Sequence, residues 1–233
     1  MIKNSQLKLI ITDDGSSSIF VPEIGEHYHS TFGALQESEH VYITTGFHSL
    51  PDTLTSIHIL EVGFGSGLNA LLTYYEAEKK QLKIYYTGIE AFPLPKDIYQ
   101  KINYPELLNK ASCQKVFLSL HDSAWDEPQN ISDDFMLFKV YAKLQEFEFE
   151  NNSFDLVYFD AFSPESQPEM WSFEIFEKIY KAMKSDGLLV TYCVKGIVKQ
   201  RLRKAGFSIE KLPGPTGKRE ILRARKIRIP GLR

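Results

Sequence analysis

Two cysteines, Cys113 and Cys193, are all that 233 residues contain, and they stand far apart with no C-x-x-C or Cys/His spacing. That excludes a disulfide framework and a cysteine zinc site, so no metal is expected. His27 and His29 are the one close pair among six histidines, and a lone H-x-H is more often structural than a ligand set. No apolar run approaches the roughly 20 residues that span a bilayer, and Met1-Ile2-Lys3-Asn4 leads into polar sequence rather than a signal-peptide core. The expectation is a cytoplasmic protein without a membrane partner. No repeat, low-complexity tract or long linker divides the chain.

What is present is enough apolar sequence, 43% of residues with 13% aromatic, for one substantial core. The formal charge of −3 hides a skew: from Lys195 onward there are 13 Lys or Arg against two acids, while residues 1–194 carry 14 basic and 28 acidic residues. A basic C-terminal surface of this kind implies a polyanionic partner, because phosphate neutralisation supplies most non-specific nucleic-acid affinity.

Residues 1–50 read as an N-terminal extension packing on the core, with a hairpin of 5–11 and 18–22 around Asp13-Asp14-Gly15 and a helix over 31–42. From there to 233 the pattern alternates. Strands are expected at 56–62, 82–90, 135–139, 154–160 and 187–193. Helices are expected from the glycines to about 80, around 96–108, and over 141–147, 171–183 and 195–205. Two consecutive strands, 207–212 and 220–224, close the chain. Such alternation gives an α/β fold with a doubly wound, mostly parallel, Rossmann-like sheet. The closing strand pair adds an antiparallel edge of the S-adenosylmethionine-dependent methyltransferase type, and ligands bind beyond the carboxyl ends of the parallel strands.

The strand 56–62 ends in Leu60-Glu61-Val62-Gly63-Phe64-Gly65-Ser66-Gly67-Leu68-Asn69. Glycines on a strand-to-helix turn let the backbone approach a ligand closely, at a helix end whose amides point outward. The spacing is G-x-G-x-G, without the third position of the dinucleotide fingerprint and without the Lys-Ser/Thr of a phosphate loop. An acid before the glycines and another, Glu90, ending the next strand suit S-adenosylmethionine. Glu61 is placed to accept from its amino group and Glu90 from its ribose hydroxyls.

The strand 154–160 delivers Asp160 into Ala161-Phe162-Ser163-Pro164-Glu165-Ser166-Gln167-Pro168-Glu169-Met170-Trp171. Pro164 and Pro168 restrict this loop, with Phe162 and Trp171 available to cover a base unless Trp171 is core. Together with Glu90-Ala91-Phe92-Pro93-Leu94, Gly217-Lys218-Arg219-Glu220, Glu26-His27-Tyr28-His29-Ser30 and Gly33-Ala34-Leu35-Gln36-Glu37-Ser38, these blocks resemble, in order and over nearly the whole chain, the methyltransferase part of the MnmC family.

The resemblance implies a methyltransferase domain over 51–233 that converts 5-aminomethyl-2-thiouridine to 5-methylaminomethyl-2-thiouridine at the tRNA wobble position, with the anticodon loop as partner. It implies cofactor contacts from Glu61, Gly63, Phe64, Gly65, Gly67, Asn69, Glu90, Ala91 and Phe92. Lys139 and Val140 stand where family members commonly carry an acid, so Asp122 is the alternative candidate beside adenine. Asp160 is expected to orient the amine, or else to cap a helix or bond cofactor. Substrate contacts are expected from Tyr28, His29, Phe162, Pro164, Met170 and Trp171, with Lys218 and Arg219 a phosphate clamp. Many family members are fused to a flavin-dependent oxidase that makes the amine. The 233 residues hold no FAD-binding domain, so a separate source of substrate is expected. Methylation of a small-molecule amine, or tRNA binding without catalysis, are the alternative readings.

Overall fold

Asp14 turns the chain back on itself, its carboxylate accepting from the Ser16 amide at 2.9 Å. In the computed structural model, which describes residues 7–227, β1 (Lys8–Ile11) therefore pairs antiparallel with β2 (Ser17–Val21), and the short β3 (Glu26–His27) completes a small sheet. The expected hairpin start at Ser5 lies outside the described residues. Next come α1 (Ala34–Ser38), a π-helix Glu39–Thr44 and a 3-10 turn Phe47–Ser49. A π-helix is rare and concentrates at functional sites; this one buries Val41, Tyr42 and Ile43.

Aliphatic side chains on both faces make β4 (Ser56–Val62) the interior strand of the main sheet, fully buried from Ile59 onward. The glycine turn feeds α2 (Leu68–Lys80), which crosses to β5 (Lys83–Glu90) in parallel register. The chain then runs through α3 (Lys96–Tyr99), α4 (Tyr104–Leu108), α5 (Cys113–Asp122) and β6 (Pro128–Ser132) before β7 (Phe135–Tyr141) adds beside β5. It returns to the other side of β4 as β8 (Phe154–Phe159). A 3-10 turn Pro168–Trp171 and α6 (Phe173–Ala182) lead to β9 (Met183–Thr191). Finally α7 (Gly196–Lys204) precedes the hairpin β10 (Phe207–Pro213) and β11 (Glu220–Lys226). The eight-stranded order is β10-β11-β9-β8-β4-β5-β7-β6. Its five central strands, β9 to β7, are parallel, and β11 and β6 run antiparallel to them at either side.

The expected α/β sheet is therefore present, with the switch point between the parallel strands β4 and β8, where the order in which strands are added reverses. Two buried clusters cover its faces. On one, Ile19, Val41, Tyr42 and Phe47 of the N-terminal segment pack with α2 and α5 residues such as Leu71 and Phe117. On the other, Trp171, Phe176, Val198 and Leu202 cover β8 and β9. No helix among the described residues is long and apolar enough to cross a membrane.

Three elements depart from expectation. Residues 142–147 form no helix, because Lys178 Nζ in α6 donates to the carbonyls of Leu144, Gln145 and Phe147 at 3.3, 2.9 and 2.9 Å. The helix expected over 171–183 starts later, at Phe173, where Ser172 caps it by accepting from the Ile175 amide. Its last residue, Met183, belongs to β9. Helix α5 and edge strand β6 had no sequence expectation at all.

Candidate cofactor and active site

The carboxyl ends of β4 and β8 converge because Gly63 has no side chain. Its φ is 87°, and an added Cβ would stand 2.6 Å from the Asp160 carbonyl oxygen. Gly65, at φ 50°, lies under the Tyr28 ring, which an added Cβ would meet at 3.2 Å. Glu90 ties this turn to the end of β5, accepting from the amides of Gly65 at 3.1 Å and Phe92 at 2.8 Å. Gly67 closes the turn as the residue before α2, which it begins in a left-handed conformation.

Asn69, in the first turn of α2, spends both amide hydrogens on carboxylates: Nδ2 donates to Glu61 Oε1 and to Asp160 Oδ2, each at 2.9 Å. Tyr86 donates to Glu61 Oε2 at 2.8 Å and Tyr42 to Asp160 Oδ1 at 2.6 Å. Asn69 Oδ1 is left buried with no partner. Burial pushes the Asp160 carboxyl up to about 7, against the lowering effect of its Tyr42 hydrogen bond; Glu37 raises it further, and Asn69 and Lys218 lower it. Burial likewise raises Glu61 well above the usual carboxylate range, and raises Glu90 against its amide donors.

Glu61, Gly63, Gly65, Asn69, Glu90 and Asp160 line one cavity of about 710 Å³ at the carboxyl edge of the sheet, where Phe64, Ala91 and Phe92 add apolar surface; Gly67, expected to contact cofactor, does not line it. Phe162 meets Tyr28 edge to face at 5.3 Å, and Met170 and Tyr192 continue the wall. Glu26 holds the loop that carries Phe162, accepting from the Ser163 amide at 3.1 Å and from the hydroxyls of Ser163 and Ser166. His29 is buried at the same end; burial drops it to about 4, so it is neutral, and its Nδ1 has no partner. Lys218 Nζ pairs with Glu37 and sits 4.1 Å from the Tyr192 ring centre. Pro164 lies in the same loop as Phe162, half-buried, but does not line the cavity.

Three expectations are corrected. Asp122 does not reach the cavity: it ends α5, exposed, where it accepts from Tyr99 at 2.7 Å and Lys96 at 3.1 Å. Its neighbour His121 matters more, donating from Nε2 to the Ser66 carbonyl of the glycine turn at 3.0 Å. Trp171 is fully buried, packed edge to face on Phe159 at 4.8 Å, with its indole N–H donating to the Phe162 carbonyl at 2.7 Å. It cannot stack on a ligand. Lys218 and Arg219 do not form a two-cation clamp, since Lys218 is turned inward onto Glu37 and Arg219 outward to solvent.

The C-terminal segment keeps its positive excess, though several of its cations have partners: Lys195 pairs with Glu165, Lys211 with Glu220 and Arg223 with Glu210, and Arg201, Arg225 and Lys226 donate to the carbonyls of Trp171, Asp186 and Met183. Among the described residues after 194, Lys199, Arg203, Lys204 and Arg219 have no hydrogen-bond or ion-pair partner for their side chains, Lys204 lying over the Phe173 ring at 4.2 Å. Lys199 and Arg219 both neighbour Glu220, whose carboxyl is held low chiefly by its Lys211 hydrogen bond.

Lys139 is buried and donates to the His121 carbonyl at 2.6 Å, over the Trp125 ring at 4.6 Å. It braces the end of α5, which in turn braces the glycine turn; burial lowers it to about 8. Sequence reasoning had no role for Tyr42, Glu26, Glu37 or Tyr192. Glu26 and Glu37 stand in blocks already matched to a family, a usable signal, whereas Tyr42 and Tyr192 gave none.

A model of a family described as S-adenosyl-L-methionine-dependent methyltransferase matches residues 108–227. The chain is 30% identical to the tRNA 5-methylaminomethyl-2-thiouridine biosynthesis bifunctional protein MnmC of Campylobacter hominis, over 88% of this chain and 31% of that protein. It is 27% identical to the protein of the same name from Polaromonas naphthalenivorans, over 90% and 34%. The chain thus spans about a third of the length of the curated relatives it matches. Among solved structures, MNMC2 from Aquifex aeolicus superposes with a TM-score of 0.78 at 23% identity, covering 97% of this chain and 72% of that one. A spermidine synthase from Thermotoga maritima gives 0.59 at 16%, covering 94% and 69%. These structural likenesses speak to the fold.

Proposed function

The chain belongs to the S-adenosyl-L-methionine-dependent methyltransferases, in the family of the MnmC methyltransferase domain, and from that premise we propose that it methylates the primary amine of 5-aminomethyl-2-thiouridine at the wobble position of tRNA. The observation that carries this reading is Asp160, a partly buried carboxyl fixed by Tyr42 and Asn69 on the cavity wall and raised to about 7.

The residues present fit the cofactor. One buried carboxyl, Glu61, two partly buried ones, Glu90 and Asp160, and the unpartnered Asn69 Oδ1 form an acceptor-rich lining for a ligand that carries a sulfonium and an ammonium group. Glu61 and Asn69 would hold its amino acid end and Glu90 its ribose hydroxyls, with Phe64, Ala91 and Phe92 around the base. Bound there, S-adenosylmethionine supplies an electrophilic methyl group. Lys139 is committed to the His121 carbonyl, so adenine is read without an acidic side chain from that strand.

Asp160 accepts an N–H of the substrate amine and aims its lone pair, and positioning of this kind carries much of the acceleration. It also takes the proton. Moving a proton from a lysine-like amine, pKa about 10.4, to an ordinary carboxylate near 3.9 costs about 9 kcal/mol; to Asp160 near 7 it costs about 5. The electron-poor pyrimidine narrows this gap further. Phe162 and Tyr28 cover the base, and Met170 flanks it. Exposed Arg219 and Lys199 meet the phosphates of the anticodon loop. A tRNA substrate puts the reaction in the cytoplasm, and the aminomethyl group comes from chemistry outside these residues.

The test is incubation with radiolabelled S-adenosylmethionine and tRNA from cells that accumulate the aminomethyl wobble uridine, then digestion to nucleosides. Label in 5-methylaminomethyl-2-thiouridine is the expected result. Cofactor bound in calorimetry but no labelled nucleoside would reject the reading in favour of a small-molecule amine.

A further inference from the structure

We propose that Glu37 and Lys218 read the Watson–Crick edge of a uracil ring, Lys218 Nζ donating to O4 and Glu37 accepting from N3–H, and so select uridine over cytidine. The inference rests on the function proposed above and deepens it by assigning the base reader.

Both side chains line the cavity and pair with each other there, Glu37 being 6% exposed. Neither is exhausted by that contact. Glu37 Oε2 accepts the Ser30 amide at 2.7 Å and Oε1 accepts Lys218, which leaves about two of the four lone-pair sites of a carboxylate. An ammonium has three donors, and Lys218 spends one on Glu37. The unpartnered Nδ1 of buried His29, next to Ser30 in the chain, also marks this end of the cavity as polar.

The groups that would meet the base lie on one wall of the cavity and are joined by contacts. In a uracil with an aminomethyl group on C5, the amine lies next to O4, and O4 lies next to N3–H. In the protein, Asp160 is followed by Ala161, whose carbonyl accepts from the Tyr192 hydroxyl at 2.9 Å. The Tyr192 ring carries Lys218 at 4.1 Å, and Lys218 holds Glu37. With the amine on Asp160, the O4 and N3–H edge of the base faces this same wall, where the paired ammonium and carboxylate offer a donor for O4 and an acceptor for N3–H. Cytosine presents the reverse pattern, an amino group toward Lys218 and a bare N3 toward Glu37, so a partly buried ammonium and a buried carboxylate would face groups of the wrong polarity.

Three synthetic anticodon stem-loops test this, carrying at the wobble position 5-aminomethyl-2-thiouridine, its cytidine counterpart, or its N3-methylated form. Wild-type kcat/KM should favour uridine over cytidine by about 100-fold or more, and N3-methylation should cost about 10- to 100-fold. Glu37→Gln, whose amide can offer a donor to N3, should lower the uridine-to-cytidine ratio about tenfold while S-adenosylmethionine still binds in calorimetry. A ratio unchanged in Glu37→Gln, or a wild type indifferent to N3-methylation, would overturn the assignment and leave the proposed function standing. A wild type that binds cofactor yet is inactive on the uridine stem-loop would remove the proposed function itself. Should Glu37→Gln not fold, the wild-type comparison of the three substrates still decides.

Discussion

Tyr42 donates a 2.6 Å hydrogen bond to Asp160, joining a π-helix of the N-terminal segment to the end of β8 across 118 residues of sequence. That bond opposes the effect of burial by stabilising the ionised carboxylate. Removing it with Tyr42→Phe should raise Asp160 further, by about one pH unit for a charge-assisted bond worth about 1.5–3 kcal/mol, partly replaced by solvent. Asp160 works ionised, so activity rises as pH climbs through its pKa. The acidic limb of the kcat profile should therefore sit near 7 in wild type and move alkaline in the variant, with turnover at pH 7 falling about fivefold. A profile that stays in place would show that the bond does not tune Asp160.

Asp160→Asn keeps the shape of the side chain and removes the proton acceptor. Turnover should fall about 10²- to 10⁴-fold, while cofactor affinity in calorimetry changes little beside that. The limb near 7 should vanish from the residual activity. Near-normal turnover would take Asp160 out of the mechanism and leave it a structural partner of Tyr42 and Asn69.

Strand β4, helix α2 and the glycine turn between them were legible because their cause is local: aliphatic runs, helix-period apolar residues, and glycines where positive φ is required. Asp160 was legible by its place at the end of an apolar strand. The geometry that makes it useful was not, because its donor Tyr42 arrives from a remote segment. The same holds for Glu26, which anchors the Ser163 loop from 137 residues away. Residues 141–147 carry helix-forming residues, yet Lys178, more than 30 positions on, takes the carbonyls a helix would use. The positive excess of the C-terminal segment was legible from composition, but which of its cations stay free for a partner was not, because that is set by tertiary contacts.

Trp171 and Phe162 separate stability from recognition. Trp171→Ala empties a fully buried site between β8 and α6 and should cost about 3–5 kcal/mol in urea unfolding. Phe162→Ala trims a partly exposed cavity wall and should unfold at nearly the wild-type midpoint. Its effect should be on KM for RNA, raised about tenfold for a stacking contact worth about 1–3 kcal/mol. A stable Trp171→Ala with impaired RNA binding would restore Trp171 as a stacking ring.

Arg219 and Lys218 are neighbours in sequence with different surroundings, and salt titration distinguishes them. An exposed cation that touches a phosphate releases counterion on binding, so Arg219→Ala should reduce the slope of log K against log salt for tRNA by about 0.7–0.9, as should Lys199→Ala. Lys218→Ala should leave that slope near the wild-type value, because its ammonium is held by Glu37 inside the cavity; the loss there should appear in kcat/KM instead. Lys211→Ala is the control, a cation on the same hairpin already paired with Glu220. If Arg219→Ala and Lys199→Ala leave the slope untouched while tRNA is still methylated, the phosphates lie against another face of the protein. If Lys218→Ala alone lowers the slope, then its pair with Glu37 opens on binding and the ammonium leaves the cavity to meet the backbone of the RNA.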